Sequence, residues 1–202
     1  MGREIGVIWP DILRDMDADT QRLKTQMIPD RYVPCRSSWQ PGWESDAYQD
    51  LMADPLNLIF GQVAHGCLMS NLIRSFAIQP QAVIGYSLGE CAGYFALGAW
   101  PDRGQMLERV EKSNLFRTEL AGPCNAARRI WQIPPTEEVD WCTATVNLNS
   151  ERVKQVLRKF RRAYLLIVNT PNECVIGGDR SQVEAAIERM GCDAFFLDGV
   201  IT

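Results

Sequence analysis

Residues 85–90 read GYSLGE and place a serine between two glycines in the pattern G-x-S-x-G. A short apolar run at 82–84 precedes the pattern and small residues follow it, which predicts a strand, a tight turn and a helix. The glycines let neighbouring backbone approach a serine held in a strained conformation. Ser87 is therefore a candidate nucleophile, and the Leu88 backbone N–H could stabilise an oxyanion. The alternative is an ordinary strand-to-helix turn that contains a serine.

The chain has 202 residues, of which 46% are apolar and 23% charged, as in soluble globular proteins. This length allows one core with a small additional subdomain. A net charge of -4 gives no basic surface, so nucleic acid is not an expected partner. The charged start MGRE has no apolar signal sequence, and we expect a cytoplasmic protein.

Seven cysteines are scattered along the chain without a C-x-x-C pair, and His65 is the single histidine. This composition predicts reduced thiols and no metal site. We interpret His65 as a histidine of the core or its boundary.

Residues 55–73 form a long uncharged stretch that contains Asn57, Gln62 and His65. These polar side chains make a membrane span unfavourable, so no membrane contact is expected. Apolar residues recur at helical spacing, which predicts a buried helix over 55–76.

The remaining elements are predicted from periodicity and turn residues. Residues 1–30 are predicted to form one or two short helices, and residues 31–48 a loop with aromatic anchors. Asp102 is the predicted N-cap of a helix that reaches residue 120. In the last third we expect strands at 126–133, 163–169, 173–177 and 193–197, and helices at 149–160 and 181–190. This βαββαβ order is typical of a ferredoxin-like subdomain.

Two segments resemble a known family. Residues 78–90, IQPQAVIGYSLGE, resemble the nucleophile region of acyl-CoA:acyl-carrier-protein acyltransferases, the malonyl-transferase type of fatty acid, polyketide and polyunsaturated fatty acid synthases. The family has G-H-S-x-G-E there, so Tyr86 replaces its histidine. Residues 169–178, NTPNECVIGG, resemble a second family signature, N-x-P-x-x-x-V-x-x-G.

The resemblance implies an α/β fold with an α/β-hydrolase-like core. That core would have a mainly parallel sheet within residues 1–122, and the inserted ferredoxin-like subdomain would cover 123–197. Residues 198–202 would begin the return to the core.

The resemblance also implies an oxyanion loop ahead of a segment like residues 1–5, and a catalytic histidine after the last strand of the insertion. Residues 197–202 read LDGVIT and contain no histidine. We therefore expect a domain truncated at both ends, with little activity as these 202 residues alone.

In the implied reaction Ser87 takes an acyl group of the malonyl type from acyl-CoA and passes it, through an acyl-serine intermediate, to the thiol of an acyl carrier protein. Neighbouring synthase domains are further implied partners, and no cofactor is needed. Tyr86 and Asn169 are implied substrate-binding residues. Lys112 stands where the family has a dicarboxylate-reading arginine, and a lysine lacks the bidentate fork. Arg109 could share its role, or Lys112 could be a solvated surface residue.

Three alternatives remain open. Cys91 is a second possible nucleophile. The domain could instead be a serine esterase of the α/β-hydrolase type. It could also be a non-catalytic docking module that keeps the turn only as part of the fold.

Overall fold

The structure is a computed structural model that describes residues 2–20, 41–197 and 201–202. The chain forms two units, Met1–Ser113 and Asn114–Thr202. The division falls nine residues before the boundary predicted after residue 122. Two predictions lie partly outside the described residues. The first concerns residues 21–40, which belong to the predicted helices and aromatic loop of the first third, and the second concerns residues 198–200.

The first unit is built from helices. They are α1 (Gly2–Ile8), α2 (Pro10–Thr20), α3 (Trp43–Met52), α4 (Pro55–Ser75), α5 (Leu88–Ala96) and α6 (Arg103–Lys112). Helices α1 and α2 match the short helices predicted at the start. The predicted loop over residues 31–48 is wrong at its end, where α3 begins. Gly42, with a φ of 91°, is the N-cap of α3, and Glu44 and Asp46 lie in the first turn of the helix. Acidic residues there interact favourably with the helix dipole.

Helix α4 is the centre of this unit, as its periodicity predicted. It begins where the Asp54 carboxylate accepts a hydrogen bond from the Leu56 N–H at 2.9 Å, with Pro55 in the first turn. Its buried side chains pack against Ile12 and Met16 of α2. By length and composition alone α4 could also span a membrane. This is weak evidence, because the core helix of a soluble protein passes the same test.

The strand predicted at 82–84 is not formed. Residues 82–86 have no regular secondary structure, and Ile84 is 100% exposed. None of the first-unit residues that the structure describes forms a strand, so the mainly parallel sheet expected within 1–122 is not observed there. A β-strand needs a neighbouring strand to pair its N–H and C=O groups, and apolar sequence alone does not supply one.

Helix α6 is shorter than predicted. The Asp102 carboxylate accepts from the Gln105 N–H at 2.9 Å, which confirms the predicted N-cap. The helix nevertheless ends at Lys112, because Ser113 is extended with φ -81° and ψ 102°. A π-helical turn, Leu115–Glu119, follows in place of the predicted last turns.

The second unit holds one four-stranded sheet. Its elements are α7 (Asn125–Trp131), β1 (Trp141–Val146), α8 (Ser150–Leu157), β2 (Ala163–Thr170), β3 (Glu173–Asp179), α9 (Arg180–Met190) and β4 (Ala194–Phe196). The strand predicted at 126–133 is wrong. Its alanines and arginines favour helix, and α7 buries Ala127 and Trp131 one turn apart on one face. The first strand is instead β1, which the sequence analysis missed.

The sheet order is β2-β3-β1-β4, and each neighbouring pair is antiparallel. Ala144 in β1 lies opposite Ile176 of β3 and Phe196 of β4. One face of the sheet packs against α8 and α9. The core there consists of Cys142, Ala144, Val146, Val153, Val156, Leu157, Ala163, Cys174, Ile176, Val183, Ala186 and Met190. Helix α8 is positioned by the Asn149 side chain, which accepts from the Arg152 N–H at 2.9 Å.

We predict that Ile176→Ala destabilises the second unit strongly. Ile176 is 0% exposed in the middle of β3, so truncation leaves a cavity and should cost about 2–5 kcal/mol of unfolding free energy. Urea denaturation followed by tryptophan fluorescence measures this. Val168→Ala in β2 is the control, since Val168 is 51% exposed and should cost less than about 1 kcal/mol. Equal losses for the two variants would contradict this account of the core.

Candidate active site

Ser87 occupies a strained turn at the start of α5. It is the N-cap of that helix, with φ 51° and ψ -116°, and its side chain makes no capping hydrogen bond. A positive φ is uncommon for a residue other than glycine and costs on the order of 1–3 kcal/mol. Such strain persists where surrounding structure holds it, which is typical of a nucleophile presented on a turn. Ser87 is exposed to solvent.

The backbone around Ser87 is fixed by two hydrogen bonds. The Gly89 N–H donates to the Tyr86 carbonyl, and the Glu90 N–H donates to the Ser87 carbonyl, both at 2.9 Å. Leu88 is the first residue of α5, and its N–H meets no acceptor in the part of the chain that the structure describes. An N–H at a helix N-terminus with no partner is a ready donor for a negatively charged oxygen.

The two glycines of the motif have different roles. A Cβ at Gly85 would lie 2.3 Å from the Gly89 carbonyl carbon and from the Glu90 nitrogen, closer than real side chains come. A Cβ at Gly89 would meet nothing within 4 Å. The turn is therefore possible because Gly85 has no side chain, whereas Gly89 is not needed for close approach.

The contacts described for Cys91, Cys67 and His65 do not involve Ser87. Cys91 is half-buried on α5 and packs against the core of the first unit. Burial raises the pKa of the Cys67 thiol, with Arg103 opposing the shift, which keeps that buried thiol protonated. His65 is half-buried on α4 and its Nδ1 contacts the Gly61 carbonyl at 2.6 Å. Among the described contacts, none joins His65 to Ser87.

The two predicted cationic residues lie on the last turns of α6. Lys112 is paired with Glu108 one turn earlier, and its side chain is 74% exposed. Arg109 is also exposed. No hydrogen bond or ion pair links either side chain to the residues of the Ser87 turn in the described structure. Exposed ion pairs of this kind contribute little free energy, and the position of Lys112 fits a solvated helix residue.

The remaining predicted site residues divide between the units. Tyr86 is exposed beside Ser87, and its carbonyl helps to fix the turn. Asn169 belongs to β2 of the second unit, where its side-chain amide donates to Glu173 at 2.8 Å. The structure thus brings together Tyr86, Ser87 and Leu88, and places Arg109 and Lys112 on one helix.

An apolar cleft with a volume of about 290 Å³ lies between α4, α5 and the segment before the turn. It is lined by Gly66, Met69, Ser70, Ile73, Pro80, Ala82, Val83, Gly89, Ala92, Gly93, Ala96 and Leu97. The sequence analysis did not identify this cleft. The sequence did contain a signal for the cleft. Small residues recur every three or four positions along α5 and therefore share one face of the helix.

Comparison with solved structures identifies this architecture. The malonyl-CoA–acyl carrier protein transacylase from Coxiella burnetii superposes with a TM-score of 0.67 and 16% identity, over 100% of this chain and 57% of that one. The acyltransferase domain of ZmaA gives a TM-score of 0.68 with 16% identity, over 99% and 42% respectively. The chain has the acyltransferase-domain fold. Another structure with this fold is the acyltransferase domain from the second module of the salinomycin polyketide synthase, with a TM-score of 0.63 and 18% identity.

Curated relatives of this acyltransferase-fold chain are large synthases. The 6-methylsalicylic acid synthase of Penicillium expansum is 28% identical over 134 residues, which is 66% of this chain. The synthase of Penicillium patulum is 28% identical over 123 residues. In both cases the match spans 6% of the relative's length. No protein-family model matches the chain.

We predict that Gly85→Ala disrupts the turn, whereas Gly89→Ala does not. The added methyl at position 85 overlaps backbone atoms and should lower the unfolding free energy by about 3 kcal/mol. The methyl at position 89 enters open space in a helix, so stability should stay equal or rise by up to about 1 kcal/mol. Chemical denaturation of the two variants checks this. Equal stability of both variants would show that the close approach at Gly85 is not a constraint.

Proposed function

We propose that this chain transfers acyl groups from CoA to the thiol of an acyl carrier protein in fatty acid or polyketide biosynthesis. The observation that carries the proposal is the strained Ser87 turn within an acyltransferase-domain fold, where the Leu88 N–H meets no acceptor among the described residues. The similar structures support it, since they include acyl carrier protein transacylases and an acyltransferase domain of a polyketide synthase.

In the proposed reaction the Ser87 Oγ attacks the carbonyl carbon of the acyl-CoA thioester. The Leu88 N–H stabilises the negative charge that develops on the carbonyl oxygen. The carbon–sulfur bond then breaks, and CoA leaves as a thiol that has gained the serine proton. In the second half the thiol of the carrier protein attacks the acyl-serine ester, takes the acyl group and returns its proton to Ser87. No cofactor takes part.

Two partners in this proposal, acyl-CoA and an acyl carrier protein, follow from the two half-reactions. Neighbouring domains of a synthase are a third proposed partner, which the similarity to 6-methylsalicylic acid synthases supports. We further propose that the second unit is the ferredoxin-like subdomain of an acyltransferase domain. Its element order, β1-α8-β2-β3-α9-β4, and its antiparallel sheet order support this assignment.

No described hydrogen bond joins the Ser87 side chain to a general base. The described contacts of His65 point to its own helix, so nothing supports a proton transfer between His65 and Ser87. Loss of the base in a serine enzyme typically lowers turnover by about 10⁶. We therefore expect these 202 residues to acylate Ser87 in a single slow event, over hours rather than milliseconds.

We predict that Ser87 is the residue that becomes acylated. Prolonged incubation with acyl-CoA, followed by proteolysis and mass spectrometry, should place one acyl group on the peptide that contains Ser87. Ser87→Ala should abolish the label. Cys91→Ala is the matched control and should retain it, because the Cys91 side chain packs into the core.

Each other result of this labelling experiment has a distinct meaning. Label that persists in Ser87→Ala and disappears in Cys91→Ala would move the nucleophile to Cys91. If water removes the acyl group from Ser87 faster than a carrier-protein thiol does, the result would indicate an esterase. A chain that never becomes labelled would favour the non-catalytic docking module.

We predict that Lys112 does not select for malonyl groups. Its ammonium is paired with Glu108 and exposed, so Lys112→Ala should change the ratio of malonyl to acetyl labelling of Ser87 by less than about threefold. Arg109→Ala is the comparison on the same helix. A charge-assisted hydrogen bond to the carboxylate would be worth about 1.5–3 kcal/mol. A ten- to hundredfold fall in the ratio would therefore show that Lys112 does bind a malonyl carboxylate.

A further inference from the structure

Helix α5 carries the Ser87 turn at its N-terminal end, so the orientation of this helix determines where the turn points. A helix rises about 1.5 Å per residue, which places Ala96, the last residue of α5, about 12 Å from Leu88, the first. Its backbone hydrogen bonds make the helix stiff over this length. A contact at Ala96 can therefore influence the position of the Leu88 N–H.

The carbonyl groups at the C-terminal end of α5 have two kinds of partner. The last carbonyls of a helix lack donors within the helix. Those of residues 93–95 accept from backbone N–H groups of residues 97–100 at 2.9–3.2 Å. The Ala96 carbonyl instead accepts from the Nη2 of Arg74, which lies in the last turn of α4. Among the described hydrogen bonds, only this one joins α4 to α5.

Arg74 makes this bond without the partners that a half-buried arginine usually has. No carboxylate forms an ion pair with it in the described part of the chain. Its Nε is buried and meets no acceptor there. A buried donor without an acceptor is unfavourable, so the contact with Ala96 is what holds the side chain in place. The positive charge lies at the C-terminal end of α5, where it interacts favourably with the helix dipole.

Close packing sets the distance between α5 and its neighbours. A Cβ at Gly66 of α4 would lie 2.8 Å from the Ala92 Cβ, and a Cβ at Gly93 would lie 3.0 Å from the Val83 side chain. Apolar contacts are not directional, so they hold α5 close without fixing its rotation or its position along its axis. A hydrogen bond has a preferred distance and angle, and the bond from Arg74 supplies this restraint.

We propose that Arg74 is a positioning residue for the Ser87 turn. Its hydrogen bond to the Ala96 carbonyl holds α5 along its axis, and the helix carries this restraint to Ser87 and the Leu88 N–H at its other end. The consequence for acyl transfer rests on the proposed function, because it matters only if Ser87 is acylated. The positioning of the turn does not depend on that activity.

The first test measures amide hydrogen exchange by NMR. The Gly89 and Glu90 amides reveal the state of the turn, because they donate to the Tyr86 and Ser87 carbonyls. Arg74→Met removes the donor and keeps a long side chain. It should raise the exchange rates of these two amides at least about tenfold, while the amides of α6 change less than about twofold.

Two further variants serve as controls. Arg74→Lys keeps the charge and a donor, so both exchange rates should stay within about threefold of those of the unmodified chain. Arg14→Met is the matched control, because Arg14 belongs to the same unit and pairs with Asp11 on the surface of α2. It should leave both amides unchanged. If circular dichroism shows that Arg74→Met does not fold, Arg74→Gln replaces it with the same expected result, because the shorter side chain cannot reach the Ala96 carbonyl.

The second test measures the rate at which acyl-CoA labels Ser87. A displaced oxyanion donor affects the transition state more than the binding of substrate. Arg74→Met should therefore lower the maximal rate of labelling about ten- to hundredfold, with the half-saturating concentration of acyl-CoA changed less than about twofold. Arg74→Lys should restore most of the rate. A merely structural role would lower the stability of the chain and leave the maximal rate of the folded protein unchanged.

Three results would overturn the proposal. The first is faster exchange in Arg74→Met at residues 93–98 alone, which would make Arg74 a local cap of α5. The second is equal acceleration in α6, which would indicate a general loss of stability. The third is an unchanged maximal rate of labelling. If the Gly89 and Glu90 amides respond as expected but Ser87 is never labelled, the proposed acyl transfer fails and the positioning role of Arg74 stands.

Discussion

The close approach of the backbone at Gly85 is the constraint on which the candidate site depends. Because this residue lacks a side chain, the chain can turn back against Gly89 and Glu90. That turn forces Ser87 to a positive φ and starts α5 directly after it. The same geometry leaves the Leu88 N–H, in the residue after Ser87, without an acceptor among the described residues. The close approach at Gly85 therefore has three consequences. Ser87 is strained, α5 begins directly after it, and the Leu88 N–H has no acceptor among the described residues.

The two units obtain stability by different means. In the first, α4 supplies the central apolar surface, and α2 and α5 pack against it. In the second, an antiparallel sheet buries one face against α8 and α9, with Val146, Val153 and Ile176 fully enclosed. Capping side chains, Asp54, Asp102 and Asn149, define where three of the helices begin. The candidate nucleophile therefore stands on a helix that is itself held by a buried partner.

The similarity to known proteins supports the fold more directly than the chemistry. The solved structures superpose over nearly the whole chain at 16–18% identity, and this chain spans 41–57% of their lengths. The curated synthases match over a small fraction of theirs. Features particular to this chain include Tyr86 beside the serine, Lys112 paired with Glu108, and an apolar cleft along α5.

The sequence by itself determined the elements whose signals are local. The G-x-S-x-G motif located the turn, Asp102 marked the start of α6, and apolar periodicity predicted helix α4. Each signal is local, because caps and periodicity act within a few residues. Tertiary structure decided what depends on distant partners. Residues 82–84 are apolar but remain unpaired, residues 126–133 became a helix that buries Trp131, and β1 formed by pairing with β3 and β4. The partner of Lys112 and the cleft beside Ser87 also required side-chain positions, since sequence spacing specifies a helix face but not what packs against it.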